Sequence, residues 1–317
     1  MDIIFTVCNR FTLPNAMVLA ESVKLYQPDS IFYLCLVDNI KIDTLPENVN
    51  FLDVEEIGIA GWEEMCKRYY DFELVAACRP WFAKFILNRE SIDLQTLTFL
   101  APTVLLLGGM DPIPLDCDLL LTPNIAAPLN KSSDLDDKRI LNVGMFNSGS
   151  WTLRRGEATR SFLEWWAKRT FDRAKYDLCN GMCMDQLWLN YAPVLVPNTN
   201  FNNAGTWQYG LRSILNHNLT FSDQQYLVNG KKLLSVDFTG LACFDPVWSD
   251  HVNLISLNPT FRKLFREYEK RIAALKVPSN YDNSSPYGIV ASVSRNRILR
   301  KKAVSALNSL MDFIDQV

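Results

Sequence analysis

A candidate edge of a binding site lies within the apolar stretch Thr96–Ile113, where Ala101-Pro102-Thr103 separates two apolar runs. In α/β proteins ligands bind beyond the carboxyl ends of strands, so a strand that stops at Pro102 predicts the edge of a site. Two carboxylates at such a step would hold a divalent metal ion against a diphosphate. Ala101 and Thr103 have no carboxylate, and this deficit is the central question that the sequence raises.

Three further polar features each have a binding and a structural interpretation. Asn147-Ser148-Gly149 lets backbone and small side chains approach a ligand closely, but the same residues favour a hairpin turn. Asp185-Gln186 begins an apolar-periodic segment, where Asp185 also suits the N-cap of a helix. Asp38 closes the second apolar run and suits either a ribose or base contact or the cap of a helix or loop.

A polar loop follows Pro197 and reads PNTNFNNAGTWQYGLR, with Asn203 close to a single Trp207. Its amides suit the hydroxyls of a sugar, and the indole suits the apolar face of a pyranose. The same composition equally suits an ordinary structured loop.

Composition and charge exclude several classes of protein. The chain has 317 residues, 48% of them hydrophobic, which is enough for one large α/β domain or two modest ones. A net charge of −3 gives no global field that would recruit nucleic acid. No apolar run reaches the ~18–20 residues of a membrane span. The start MDIIFTVCNRF lacks the features of a signal peptide, so we expect a cytoplasmic protein.

The cysteines and histidines do not form a recognisable metal or hydrolase motif. Cys179 and Cys183 have no second pair and no nearby His, so the eight cysteines are predicted to be reduced and mostly buried. His217 and His251 have no nucleophile context, which leaves a Ser-His-Asp or Cys-His hydrolase poorly supported.

The predicted elements begin with strand, helix, strand and strand over residues 2–8, 13–26, 31–37 and 48–54. This order indicates a parallel sheet with right-handed crossovers. No GxGxxG follows the first strand, so a dinucleotide-binding oxidoreductase loses its main support. Further helices are predicted over 61–70, 73–87, 158–171, 259–275 and 297–313, with Pro80 either starting a helix or kinking one. Tyr226–Leu241 reads as a hairpin that turns at Asn229-Gly230.

In their order and spacing these stretches resemble the GT-A glycosyltransferases, and within them the bacterial enzymes of glycosyltransferase family 8. The resemblance runs from about Asp2 to about Arg300. Thr6 and Asn9 stand where such proteins have Thr and Asn near the nucleotide. Arg79-Pro80 stands where a Lys-Pro or Arg-Pro opens a helix beneath the donor phosphates.

The segment Phe99–Val104 (FLAPTV) is in frame with the family's YLDPDI, which contains the acidic metal-binding motif. Further matches are Thr122-Pro123-Asn124 with TPH, Phe146–Ser150 with FNSGF, Trp165-Trp166 with WW, Asp185–Trp188 with DQxW, Asn203–Trp207 with an N…W loop and Asp237–Gly240 with HFSG.

The resemblance implies a GT-A type, Rossmann-like mixed α/β sheet flanked by helices, as a single domain with a helical C-terminal extension. The domain would span residues 1–255, with a nucleotide-binding part of about 1–125 and an acceptor-side part of about 126–255. The extension would span residues 256–317.

The resemblance also implies a nucleotide-sugar donor. The residues around the transferred sugar would be Asn147, Ser148, Gly149, Asp185 and Gln186. Thr239 and Gly240 would approach the diphosphate, and Asn203 and Trp207 would lie on the acceptor side. Asp237 and Asn124 stand where the family has His. We therefore disfavour a bound Mn²⁺ or Mg²⁺ and expect no cofactor, because Asp237 alone would make a weak metal site.

Without a metal ion, fixed Arg or Lys side chains must meet the charge that develops on the leaving nucleoside diphosphate. Arg79 is the first candidate, and the next are Arg10, Lys231-Lys232, Arg295 and Arg297. Asp185 would lie nearest the anomeric carbon, where it orients the acceptor hydroxyl or stabilises oxocarbenium character, unless it only caps a helix.

Two functions follow from the resemblance. The first is a metal-independent glycosyltransferase with a glycan, lipid-linked or small-molecule acceptor. The second is a catalytically silent relative that binds a nucleotide, a glycan or a partner protein, which the lost acidic motif favours. An engineered change at Ala101 would account for only one of the two acidic positions, since Thr103 differs as well. The basic C-terminal helix either makes a peripheral contact with an anionic membrane or packs on the core.

Overall fold

The computed structural model describes residues 1–42, 46, 49–90, 94–111, 116–129, 135–275, 285–290, 303, 307 and 314. The strands are β1 (Asp2–Cys8), β2 (Ile31–Leu36), β3 (Val49–Asp53), β4 (Thr96–Leu100), β5 (Val104–Leu106), β6 (Leu119–Pro123), β7 (Phe146–Arg154), β8 (Tyr176–Asp177), β9 (Met182–Cys183), β10 (Thr199–Phe201), β11 (Leu219–Ser222), β12 (Gln225–Val228), β13 (Lys231–Lys232) and β14 (Ser235–Asp237). The helices are α1 (Leu13–Tyr26), α2 (Trp62–Arg68), α3 (Asp71–Arg89), α4 (Asp137–Val143), α5 (Glu157–Asp172), α6 (Ala192–Leu195) and α7 (Pro259–Ala274), with short 3₁₀ turns at Leu178–Asn180, Gln186–Tyr191, Leu211–Ser213 and Ser249–Leu257.

A seven-stranded mixed sheet forms the centre of the protein, with strand order β10-β6-β7-β4-β1-β2-β3. Only β7 is antiparallel to its neighbours, β4 and β6, while the other pairs are parallel. Helices α1 and α3 contact the sheet, and α3 packs on α5. The prediction of an α/β mixed sheet flanked by helices is confirmed. The carboxyl ends of β1, β4, β6 and β10 consequently lie at one edge.

The core at this edge is aromatic. Phe99 at the end of β4 packs against Phe5 and Trp151, with ring centroids 5.1 and 5.5 Å apart, and Trp151 packs against Trp166. All four side chains are almost completely buried. Such rings bury a large apolar area each, so this cluster gives β1, β4 and β7 a rigid support near the predicted site.

The predicted hairpin over Tyr226–Leu241 is only partly correct. Strands β12 and β13 pair around Asn229-Gly230, whose φ angles of 49° and 80° suit a tight hairpin turn. Ser235–Asp237 leaves the hairpin and pairs with β5 instead. All three residues of β14 are buried in the core, and an exposed arm of a hairpin would leave them in contact with solvent. This pairing places Asp237 opposite Val104 and beside Thr103.

The helices predicted over 13–26, 61–70, 73–87 and 158–171 correspond to α1, α2, α3 and α5. Pro80 does not start a helix, because α3 runs through it. The helix runs from Asp71 to Arg89, and its buried face, which includes Phe82 and Ile86, holds it against the core through the proline. Helix α7 confirms the prediction for 259–275. Most of the last predicted helix lies outside the described residues, of which Ala303 and Leu307 are helical. No helix in the described part of the chain has the length and apolarity needed to cross a membrane.

Candidate active site

A cavity of about 320 Å³ lies at the carboxyl edge of the sheet, next to the end of β4. Six of the predicted site residues line it, namely Asn9, Arg79, Ala101, Pro102, Thr103 and Thr239. The step at Pro102 is therefore the wall of a real concave site, as its position after a buried strand predicts.

Arg79 connects the cavity to a buried carboxylate beneath it. Its Nη1 lies 3.1 Å from Oδ2 of Asp185 and 2.9 Å from Oγ of Ser148, and Ser148 Oγ donates to Asp185 at 3.2 Å. The guanidinium also lies over the Phe99 ring, 5.1 Å from its centroid. A side chain held by three groups in this way is preorganised, so Arg79 presents its charge to the cavity from a fixed position.

Asp185 does not cap the helical turn that follows it, because its side chain accepts no hydrogen bond from that turn. The carboxylate is fully buried. Burial raises the pKa of Asp185 above its ordinary value of 3.8, although the Arg79 guanidinium and the Ser148 hydroxyl act in the opposite direction. Its backbone carbonyl accepts a hydrogen bond from the Trp166 indole, which fixes the residue to α5.

Asn147, Gly149 and Gln186 surround this ion pair. Gln186 accepts from the Ser148 amide and donates to the Val143 carbonyl, so it orders the strand that presents Ser148. Asn147 Oδ1 accepts from the Gly149 amide, whereas its Nδ2 has no hydrogen-bond partner among the described residues although it is buried.

Behind the cavity wall, Asp237 forms a saturated buried network. Its Oδ2 accepts from Arg212 at 3.0 Å, and its Oδ1 accepts from Thr103 at 2.8 Å and from Thr239 at 2.6 Å. Burial alone would raise the pKa of Asp237, but Arg212 and Thr239 together lower it below its ordinary value. Gly240, the residue after Thr239, has a φ of 83°, which lies in the left-handed region that glycine adopts readily.

These contacts do not fit the metal site that the family resemblance implies. Ala101 offers no ligand, and the Thr103 hydroxyl and both Asp237 oxygens are already bonded to protein groups. In the described part of the chain, no group of three or more His, Cys, Asp or Glu side chains is placed to hold an ion. A hard cation needs several oxygen ligands, so this wall is a poor site for Mn²⁺ or Mg²⁺.

Asp38 and Thr6, which were predicted to bind the nucleotide of the donor, do not line the cavity. Asp38 is fully buried and bonded to Arg10, with Nη2 to Oδ1 at 2.7 Å. Thr6 lies in β1, and its buried hydroxyl has no partner among the described residues. Of the further cation candidates, Lys231 and Lys232 are exposed in β13, and Arg295 and Arg297 are outside the described residues.

Sequence reasoning missed Asp245 and an apolar wall. Burial raises the pKa of Asp245 to about 6, although its Oδ1 accepts from the backbone amides of Val247 and Trp248. Most of the other lining residues that were missed are apolar, among them Phe11, Phe72, Val75, Met184 and Phe244. The local signal for Asp245 was the Asp-Pro pair before Val247-Trp248, and such a pair is typical of many turns.

Asn203 and Trp207 line a different, smaller cavity at the same sheet edge. Its other walls come from the end of β6 and the residues after it, from the residues after β10, and from the segment that contains Arg212 and His217. The Trp207 indole donates to Ser150 Oγ at 3.1 Å, which ties this loop to β7.

No family model matches the chain. The uncharacterized protein YfnF of Bacillus subtilis (strain 168) is 26% identical over 251 residues, which cover 74% of this chain and 80% of that protein. Among solved structures, the galactosyltransferase LgtC in complex with donor and acceptor sugar analogs gives a TM-score of 0.48 at 13% identity, covering 88% of this chain and 98% of that one. A glycosyltransferase involved in glycosylation of the major capsid of PBCV-1 gives a TM-score of 0.43 at 10% identity, covering 80% and 98%. The function proposed next therefore rests on the site.

Proposed function

We propose that the protein is a glycosyltransferase that moves a sugar from a nucleotide-sugar donor to a glycan, lipid-linked or small-molecule acceptor without a bound divalent cation. The observation that carries the proposal is the Arg79–Asp185–Ser148 cluster at the cavity beside Ala101–Thr103. It joins the residues that resemble the donor site of GT-A enzymes into one contact network.

In this proposal Arg79 meets the charge that develops on the leaving diphosphate. It is the one Arg or Lys that lines the cavity in the part of the chain that the structure describes. Bond cleavage at the anomeric carbon moves an electron pair onto the diphosphate oxygen, and a fixed guanidinium stabilises that charge more in the transition state than in the ground state. The Asn147 amide, whose buried Nδ2 has no hydrogen-bond partner among the described residues, is a further donor candidate.

Asp185 would hold Arg79 and Ser148 in position and place negative charge near the anomeric carbon, where positive charge develops. The apolar wall of Phe11, Phe72 and Phe244 offers flat surfaces for a base or for the face of a sugar ring. Asn9, Thr103 and Thr239 add polar groups that fix the orientation of the donor.

A second candidate function is a silent relative that binds a nucleotide, a glycan or a partner protein. It is favoured because Asp185 already neutralises Arg79, and because two acidic residues, Asp71 and Asp245, also line the cavity, so the described lining has no net positive charge for a diphosphate. A peripheral membrane contact of the C-terminal helix remains a prediction, because nearly all of that segment lies outside the described residues.

The test is a binding and turnover screen against UDP-, GDP-, CMP- and dTDP-sugars, by calorimetry and thermal shift, with EDTA and with Mn²⁺. Donor hydrolysis is followed by chromatography. Binding that survives EDTA, with slow hydrolysis, supports the metal-independent enzyme. Binding without turnover, whichever acceptor is offered, supports the silent relative. Absence of binding to every donor contradicts both donor-site interpretations.

A matched pair of variants localises the effect. Arg79→Ala should abolish donor binding or turnover, whereas Arg89→Ala, an exposed arginine in the same helix, should change neither. Equal behaviour of the two variants would remove Arg79 from the mechanism.

A further inference from the structure

The cavity of about 320 Å³ beside Pro102 has two carboxylates in its described lining, Asp71 and Asp245, and no histidine there. Asp185 and Asp237 do not belong to that lining, and both are almost completely buried with their oxygens bonded to protein groups. Transfer of a sugar to a hydroxyl group is assisted by a base that takes the hydroxyl proton as the new bond forms. Because such a base must reach the cavity, Asp71 and Asp245 are the candidates in the described part of the chain.

The two oxygens of the Asp245 carboxylate have different surroundings. Oδ1 accepts from the backbone amides of Val247 at 2.8 Å and Trp248 at 2.7 Å. Oδ2 accepts no hydrogen bond from a described residue, and it is not one of the buried polar atoms that lack a partner, so it keeps some contact with solvent. Asp245 lines the cavity and is partly exposed. Oδ2 is therefore the oxygen of this carboxylate that a ligand can reach.

The turn that contains Asp245 is held on both sides. The Asp245 backbone amide donates to Ser249 Oγ at 2.9 Å, and the Asp245 carbonyl accepts from the Ser249 amide at 3.0 Å. From α4, Arg139 Nη2 donates to the carbonyls of Pro246 and Val247, both at 3.3 Å. A group that is fixed before the ligand binds does not have to reorganise in the transition state, so these bonds preorganise the carboxylate.

Helix α3 connects this turn to Arg79. Phe72, Val75 and Arg79 line the cavity, and their spacing of three and seven residues puts them on one side of the helix. Phe244, the residue before Asp245, packs edge-on against Phe72 with ring centroids 5.3 Å apart. Phe72 and Arg79 are separated by about 10 Å along the helix axis, since the rise is ~1.5 Å per residue. No ion pair in the described part of the chain joins Asp245 to Arg79, which pairs with a different carboxylate.

The charges around Asp245 favour proton uptake near neutral pH. Burial raises the pKa of Asp245 to about 6, and the Asp237 carboxylate also raises it, whereas two backbone amides and Arg79 act in the opposite direction. The other titratable groups that interact with Asp245 stay neutral because burial raises their pKa values, and they are the hydroxyl of Tyr176 and the thiols of Cys183 and Cys243. A base works efficiently when its pKa lies near the working pH.

We propose that Asp245 is the catalytic base of the sugar transfer and that its Oδ2 takes the proton of the acceptor hydroxyl. The acceptor oxygen forms a bond to the anomeric carbon as the bond from that carbon to the diphosphate oxygen breaks. The electron pair of the broken bond leaves with the diphosphate, whose charge Arg79 meets. The assignment rests on the proposed glycosyl transfer. It gives the carboxylate of Asp245 a role that a silent binding protein would not need.

The test compares an acceptor that must lose a proton, methanol, with one that has none to lose, azide. UDP-glucose, UDP-galactose, UDP-N-acetylglucosamine, GDP-mannose and dTDP-rhamnose are each offered both acceptors, and the methyl glycoside and the glycosyl azide are measured by chromatography. Asp245→Asn keeps an acceptor for the Val247 and Trp248 amides but cannot take up the proton. Asp71→Asn removes the same charge from the same lining, and Asp223→Asn, in the exposed turn between β11 and β12, is the control for the substitution itself.

Asp245→Asn should lower the rate of transfer to methanol by about 10²–10⁴-fold, the usual contribution of general base catalysis, and leave the rate with azide unchanged. In the wild type the methanol rate should fall as pH drops through about 6, because Asp245 becomes protonated, while the azide rate should not. Asp71→Asn should change both rates by the same factor, and Asp223→Asn should change neither. Calorimetry should show that Asp245→Asn binds the donor at least as tightly as the wild type, which verifies that the variant is folded.

Two results would overturn the assignment and leave glycosyl transfer in place. One is an equal loss of the methanol and azide rates in Asp245→Asn, and the other is a loss of neither. A wild type that transfers sugar to neither acceptor from any of these donors contradicts the proposed transfer and the catalytic base together.

Discussion

Arg79 Nη1 lies 3.1 Å from Oδ2 of Asp185, a residue 106 positions further along the chain, and neither side chain has more than a small exposed fraction. The pair links α3 to the loop after β9, so it belongs both to the wall of the cavity and to the core beneath it. A charge pair in such a place affects stability and ligand binding together, and the two effects need separate experiments.

Arg79→Met should lower the free energy of unfolding by about 3–5 kcal/mol at neutral pH, because it leaves the Asp185 carboxylate buried without its cation. The loss should shrink on acidification, since protonation of Asp185 removes the unpaired charge. The double variant Arg79→Met/Asp185→Asn should regain most of the stability. Urea unfolding at several pH values measures all three expectations, with the exposed Arg89→Met as control. Equal losses in Arg79→Met and Arg89→Met would show that the pair contributes nothing.

Asp245 should make the protein less stable as pH rises. Its pKa is raised from 3.8 to about 6 in the folded state, so between these values the folded state binds more protons than the unfolded state. Stability contributed by this group is therefore present at low pH and lost as pH rises through about 6. Asp245→Asn keeps an acceptor for Val247 and Trp248 and should be more stable than the wild type at neutral pH, with the difference vanishing toward pH 3.8. Parallel unfolding curves across this range would contradict the assignment.

Removal of divalent cations by a chelator should change neither the Tm of the protein nor its affinity for a donor. Thr103 donates to Asp237, and Asp237 also accepts from Arg212, so neither side chain offers an unbonded ligand to a cation beside Ala101. We expect the same Tm in EDTA, Mn²⁺ and Mg²⁺, and the same donor affinity in each, measured by thermal shift and calorimetry. A saturable rise of Tm with Mn²⁺, reversed by EDTA, would show a metal site that these contacts do not provide.

The sequence predicted the sheet and the position of the cavity because both depend on local patterns. Apolar runs such as Ile3–Cys8 and Leu97–Leu100 are buried on both faces in the structure, and a break after such a run marks the end of a strand. The same locality explains why α7 was predicted closely. The sequence left open whether Pro80 starts a helix or kinks one, and α3 continues through it because the buried face of the helix packs on the core although one backbone hydrogen bond is lost.

The partners of the polar side chains could not be predicted, because they depend on contacts between distant segments. Asp38 with Arg10, Asp185 with Arg79 and Asp237 with Arg212 each join different elements, and no spacing rule connects them. The smaller cavity was missed for the same reason. The stretch Asn203–Trp207, which forms part of its lining, was noticed from composition, but its other lining residues come from distant segments.

Gly240 and Gly230 offer a matched test of how tightly the cavity wall is packed. Both have left-handed backbones, with φ of 83° and 80°. A Cβ on Gly240 would lie 2.8 Å from the backbone carbonyl carbon of Trp248, whereas a Cβ on Gly230 would meet nothing within 4 Å. Gly230→Ala should therefore cost only the left-handed penalty of about 1–2 kcal/mol. Gly240→Ala should cost clearly more and weaken donor binding, because Thr239 and the turn before Asp245 must move to relieve the clash. Urea unfolding and calorimetry on both variants measure this difference, and equal losses would mean that the wall is loose enough to accept a methyl group.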